Sequence, residues 1–155
     1  MRSAIRFEQA LTKDQRVTNS AFHNGLGWGM RVLNAKNIFM ENNIFFSFRP
    51  VGVAVDAVHN MTFNNNFVGG SVERTTFEAL DGIVDKMGLI CICSYEETSC
   101  SDITVTNNIA AGGTYAGLVV PGEKCDDTAN SKIYGNVAHS IGGPDMGYGL
   151  IVYNN

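Results

Sequence analysis

Short apolar stretches alternate along this chain with pairs of small polar residues, and the alternation recurs. One unit sets two polar or small residues before apolar ones: Asn19-Ser20-Ala21-Phe22, Asn42-Asn43-Ile44-Phe45, Asn65-Asn66-Phe67-Val68, Asn107-Asn108-Ile109-Ala110 and Gly135-Asn136-Val137-Ala138. Counted between the second residues of successive units, the steps are 23, 23, 42 and 28 residues. A second series interleaves with it: Gly29-Met30-Arg31-Val32, Gly52-Val53-Ala54-Val55, Gly88-Leu89-Ile90-Cys91, Gly117-Leu118-Val119-Val120 and Gly149-Leu150-Ile151-Val152. Its first step is again 23 residues. Two registers with one step point to stacked structural repeats.

A period of roughly 20 to 25 residues suits a leucine-rich repeat or a coil of a β-helix. The former needs Leu at fixed offsets and a helix in each unit. This chain instead alternates β-branched and aromatic residues, as in Ile38-Phe39-Met40 and Ile103-Thr104-Val105. The prediction is an all-β, right-handed parallel β-helix of about five coils, with residues 1–155 as one domain. Successive coils lie about 4.8 Å apart, so each side chain sits over its counterpart. Asn43, Asn66, Asn108 and Asn136, opened by Ser20, are therefore expected to pass amide hydrogen bonds up one ladder. Asn also accepts the left-handed backbone of sharp turns. The predicted inward stack is Ile38, Met40, Ile44, Met61, Phe63, Phe67, Ile103, Val105, Ile109, Ile133 and Val137. Neither end reads as a cap, so the expectation is a segment of a longer ectodomain in which more coils follow.

The long step between Asn66 and Asn108 holds an insertion. Thr75 and Glu78 have capping-box spacing, and Phe77, Leu80, Val84 and Met87 share one helical face before Gly88. A short helix over 75–87, packed on the side of the solenoid, is expected. Composition agrees with short strands and turns, with 17 Gly and three Pro in 155 residues. The formal net charge of −4, without a Lys/Arg block, gives nucleic-acid binding little support. No apolar run is long enough to span a bilayer. Met1 to Phe7 lack the apolar stretch of a secretory signal, which an extracellular chain would have to carry elsewhere in a larger protein.

Candidate chemistry is sparse. The spacings of Cys91, Cys93, Cys100 and Cys125 fit no common zinc pattern. The expected disulfide joins Cys100 to Cys125 or Cys93, with Cys91 buried; Cys91 and Cys93 are read as sharing a strand face. A disulfide implies an oxidising compartment. Asn60-Met61-Thr62 is a candidate N-glycosylation sequon. A polysaccharide lyase or hydrolase would need carboxylates or bases stacked on neighbouring coils. No such column is legible: Arg31 aligns with Ala54, and Glu41 with Asn64, Thr106 and Gly135. Asp56 and Glu41 read as solitary solvated carboxylates. His23, His59 and His139 read as surface or turn residues, and no Ser-His-Asp or Cys-His pairing emerges. No catalytic, metal or cofactor site is expected.

Several stretches resemble the parallel β-helix region of fibrocystin and fibrocystin-like proteins, from about Val17 onward. They are His23-Asn24-Gly25-Leu26-Gly27-Trp28-Gly29, Asn42-Asn43-Ile44-Phe45, Val72-Glu73-Arg74-Thr75, Val105 to Gly112, Tyr115-Ala116-Gly117 and Gly135-Asn136-Val137-Ala138-His139-Ser140. The resemblance implies a non-catalytic segment of a large, membrane-associated glycoprotein, on the extracellular face of the plasma or ciliary membrane or secreted. It would act as a rigid spacer or interaction surface. Its partners would be neighbouring coils or domains of the same chain, or other cell-surface glycoproteins or glycans. A related β-helix family linked to hyaluronan breakdown keeps a carbohydrate-binding or polysaccharide-cleaving alternative.

Overall fold

The computed structural model describes residues 3–49, 51–71, 88–93, 100–122, 130–142 and 147–154. The helix expected over 75–87, and Cys125, lie outside them. Every regular element among the described residues is a strand. In chain order they are β1 (Ser3–Glu8), β2 (Gln15–Thr18), β3 (Ala21–Gly25), β4 (Trp28–Glu41), β5 (Ile44–Phe48), β6 (Val53–Asn64) and β7 (Phe67–Gly69). There follow β8 (Gly88–Ile92), β9 (Ser101–Thr106), β10 (Ile109–Ala111), β11 (Ala116–Gly122), β12 (Lys132–Tyr134), β13 (Val137–His139) and β14 (Tyr148–Asn154).

All pairings between these strands are parallel and link each coil to the next. The result is a β-solenoid with three faces. The first face carries β1, the start of β4, the start of β6, β8, β11 and β14. The second carries β2, the end of β4, the end of β6, β9 and β12. The third runs β3, β5, β7, β10 and β13. From β2 to β12 the chain climbs about four turns. The 23-residue step appears directly as Met30 opposite Val53 and Ile38 opposite Met61.

Left-handed residues make the corners. In β4 the chain turns between faces at Asn34 and Asn37, with φ of 50° and 56°; in β6 it does so at Ala57 and Asn60, with φ of 50° and 57°. Between the second and third faces the same role falls to Asn19, Asn42, Asn65, Asn107 and Gly135, with φ between 53° and 68°. Asn and Gly adopt this region at low cost, which accounts for the asparagine-rich composition.

These corners also overturn part of the predicted core. Ile38, Met40, Met61, Phe63, Ile103 and Val105 are buried, and Ile133 is half-buried against them. Ile44, Ile109 and Val137 instead face outward at 47%, 40% and 50% exposure, and Phe67 is only half-buried. The left-handed residue at each corner breaks strand alternation. The next residue, the ladder asparagine, points inward, and the following one therefore points out. The third-face core is Phe45, Val68 and Ala110, with Phe22 stacked on Phe45 at 5.3 Å.

A second correction concerns Gly88. Gly29, Gly52, Gly117 and Gly149 occupy a column where a Cβ on Gly29 would lie 2.4 Å from the Gly52 carbonyl oxygen. Val53 pairs with Ile90, so Leu89 and not Gly88 takes this slot in the β8 coil. A Cβ on Gly113 would lie 2.9 Å from Leu89 Cγ, so the bare glycine there makes room for the leucine.

Candidate functional site

The structure brings Asn43, Asn66, Asn108 and Asn136 into one column inside the stack, at the start of the third face. Asn43 donates both its backbone N–H, at 2.9 Å, and its Nδ2, at 3.0 Å, to Asn66 Oδ1. Asn66 does the same to Asn108 Oδ1 at 2.8 and 3.1 Å, and Asn108 to Asn136 Oδ1 at 2.9 Å for both bonds. Ser20 joins through its backbone N–H to Asn43 Oδ1. Each amide also reaches backwards to a second-face carbonyl: Val17, Met40, Phe63 and Val105 in turn. Asn43, Asn66 and Asn108 are buried. A buried amide is tolerated only when its groups are paired, and the ladder pairs them with other groups of the protein. Two outer sets run beside it: Asn65 to Asn42 to Asn19, and Asn60 to Asn37.

The outer side of the first face holds a group that the one-dimensional pattern hides. Asp56 is buried and ion-paired with Arg31. The Arg31 guanidinium also lies 4.6 Å from the Trp28 ring centroid. Trp28 Nε1 is buried with no hydrogen-bond partner among the described residues. Asp56 is thus not the solitary solvated carboxylate expected. Arg31 aligns with Ala54, and its ion-pair partner lies two residues further along the next coil. Cys91 lies beyond Ala54 in the same outward column. It is a free, buried thiol whose pKa rises from 9.0 to about 12, chiefly through loss of solvent. The nearby Asp56 charge raises it further, while the Gly88 backbone N–H and Arg31 oppose the rise. A thiol held neutral in this way is a poor nucleophile.

Cys93 forms a disulfide with Cys100, with Cα atoms 6.3 Å apart. Cys91 and Cys93 do not share a face as the strand reading expected. Cys93 adopts φ 50° at the corner, which turns it into the main core while Cys91 stays in the outer cluster.

The second face presents the polar outer surface. Lys36, His59 and Ser101 form one outward column, and Phe39, Thr62, Thr104 and Lys132 another. Arg16 lies over the Phe39 ring at 4.3 Å. His59 Nδ1 is 2.9 Å from Ser101 Oγ, a pairing the sequence reading missed because the two stand 42 residues apart. Ser101 Oγ also lies 3.0 Å from Asp102 Oδ2. The single hydroxyl proton of Ser101 can go to Asp102 or to His59 Nδ1, according to the imidazole tautomer. Glu41, also read as solitary, accepts from Asn64 Nδ2 at 2.7 Å, and Asn64 Oδ1 accepts from Thr106. This column continues to Tyr134 and not to Gly135, which sits at the corner opposite Asn107.

His23 and His139 stand at opposite ends of one outward column on the third face. Four strand spacings, about 19 Å, separate them, too far to share an ion. Among the described residues no three His, Cys, Asp or Glu converge as metal ligands. Asn60, the sequon asparagine, is exposed at a corner. Its Nδ2 donates to Asn37 Oδ1 at 2.8 Å.

Parallel coils, inward apolar columns and a continuous amide ladder define a β-solenoid stacking unit. Residues 3–155 match the family model described as the right handed beta helix region, and the chain belongs to that family. No curated protein and no solved structure matches it significantly.

Proposed function

We propose that this chain is a rigid, non-catalytic structural and interaction segment of a large extracellular, membrane-associated glycoprotein of the fibrocystin kind. It stands on the plasma or ciliary membrane surface or is secreted, and Asn60 carries a glycan. The observation that carries this reading is where the polar groups are used. The buried asparagines, the largest set of buried polar side chains described, spend their donors and acceptors holding coil to coil. Such a column stiffens a rod and leaves little for a substrate. The Cys93–Cys100 disulfide favours an oxidising compartment. The partners are neighbouring coils or domains of the same chain, and cell-surface glycoproteins or glycans met along the faces.

A second reading, a carbohydrate-binding or carbohydrate-cleaving β-helix, draws support from the second face, where Lys36, His59, Ser101, Thr62 and Thr104 lie in adjacent columns. Incubation of the protein with a panel of acidic and neutral polysaccharides, followed by product analysis, separates the two. The structural reading expects no turnover. Turnover that disappears in His59→Ala would replace it with the second reading. Expression through a secretory pathway tests location: a glycan on Asn60 and a Cys93–Cys100 linked peptide are expected, and a protein that leaves the cell with neither would contradict it.

A further inference from the structure

The three faces of the solenoid differ in what they turn outward. On the first, the outward column Ala54, Cys91 and Val119 is already buried. On the second, Arg16, Lys36, Glu41 and Lys132 point outward, and Asn60 of the sequon stands at the edge. The third is bare and uncharged. No Asp, Glu, Lys or Arg stands in β3, β5, β7, β10 or β13. One outward column there runs Ala21, Ile44, Phe67, Ile109 and Val137; beside it runs His23, Phe46, Gly69, Ala111 and His139. Ile44, Phe46, Ile109 and Val137 are exposed. A Cβ on Gly69 would lie 2.7 Å from Phe67 Cζ, and one on Gly70 would lie 2.6 Å from Phe46 Cε2. Both rings therefore lie down over bare glycines, and the face stays shallow.

We infer that two copies of this chain associate through their third faces, about a two-fold axis parallel to β7. The inference rests on the reading of the chain as an interaction segment and names one partner for it. Two observations select a second copy. A face without charge can be set against itself without bringing like charges together, which would cost affinity. The sizes of its side chains also read alike in both directions from β7. Rotation about that axis keeps each column over itself and reverses the order of the coils. It sets Ile44 against the partner's Ile109, and Phe67 against the partner's Phe67. Phe46 then meets the partner's Ala111, and Ala21 meets the partner's Val137, so large residues face small ones. The face spans about 24 Å along the stack and about 17 Å across. Two such faces bury on the order of 1,000 Å² in total, the lower end for specific interfaces, so the dimer is a weak one.

Sedimentation velocity on the full chain, from about 5 to about 500 µM, covers the range that a small interface requires. The wild-type chain is expected to pass from monomer to dimer across it. Ile44→Lys and Ile109→Glu alter exposed side chains, so the far-ultraviolet circular dichroism of each should match the wild type. Each alone should weaken the dimer at least about tenfold. Mixed in equal amounts, the two variants should associate at least about tenfold more tightly than either alone. The axis then sets the new cation against the new anion and leaves the other Ile44–Ile109 contact intact. Misfolded chains would not recover in this way. Lys132→Glu, on the second face, should leave the dimer unchanged. A wild-type chain that stays monomeric throughout, or a mixture no tighter than the single variants, overturns the inference and leaves the face to a different protein or a glycan. That outcome is separate from failure of the structural reading, which polysaccharide turnover decides.

Discussion

Replacing Asn66 with Ala removes the middle rung of the ladder and allows its worth to be worked out. Asn43 loses the shared Oδ1 acceptor of two donors, its backbone N–H and its Nδ2, and the buried Met40 carbonyl loses the Asn66 Nδ2. Asn43 Nδ2 keeps its bond to Val17, and the Asn66 backbone N–H keeps Asn108. The Asn43 N–H is therefore left buried and unpaired, while the Met40 carbonyl keeps the strand-to-strand bond that the parallel β4–β6 register gives it. The unpaired N–H costs about 1–3 kcal/mol and the lost second bond to Met40 about 1 kcal/mol, for a total of about 2–4 kcal/mol. Against a usual net stability of about 5–15 kcal/mol this is a large share. The control is Asn65→Gly, which deletes an exposed rung, Asn65 Nδ2 to Asn42 Oδ1, that water can replace. Glycine also accepts the φ of 53° at residue 65, so the change should stay within about 1 kcal/mol. Equilibrium urea unfolding followed by far-ultraviolet circular dichroism measures both. If Asn66→Ala costs no more than Asn65→Gly, the buried column is not what joins the coils.

Three further outcomes are expected. Cys100→Ser opens the loop closed by the Cys93 disulfide and should lower stability by about 2 kcal/mol, read by chemical denaturation under non-reducing conditions; an unchanged midpoint would contradict the cross-link's role. Because burial raises the Cys91 pKa from 9.0 to about 12, the unfolded chain releases this proton first. Stability should therefore fall as pH rises from about 9 towards 12, and Cys91→Ala should flatten that decline; identical slopes would refute the assignment. Arg31→Met takes the Arg31 guanidinium away from the buried Asp56 carboxylate and should cost about 2–4 kcal/mol, whereas the double change Arg31→Met with Asp56→Leu should recover much of the loss in a double-mutant cycle.

The 23-residue step is legible in the sequence because stacking imposes a vertical rule on the residues at each level. Asn43 over Asn66 and Met40 over Phe63 satisfy the same constraint in successive coils. The facing of the third-face strands is not legible from alternation, since one left-handed residue such as Asn42 shifts every later side chain to the other side. The same effect separates Cys93 from Cys91. The displaced register at Gly88 follows an insertion, where local composition cannot tell which of two adjacent residues enters the glycine slot. The Arg31–Asp56 pair is diagonal between coils, so a search of vertical columns alone passes over it. His59 and Ser101 do share a column, but the 42-residue step between them lies across the insertion and conceals the contact.

Coupling across the hydrogen bond offers the most direct test of the stacked ladder. In uniformly ¹⁵N,¹³C-labelled protein, the Asn43 backbone nitrogen should correlate with the Asn66 side-chain carbonyl carbon through the 2.9 Å bond between them. The matching correlation should join Asn66 to Asn108. Correlations from both amides to main-chain carbonyls, in the pattern of antiparallel partners, would contradict parallel coils joined by a column of asparagines.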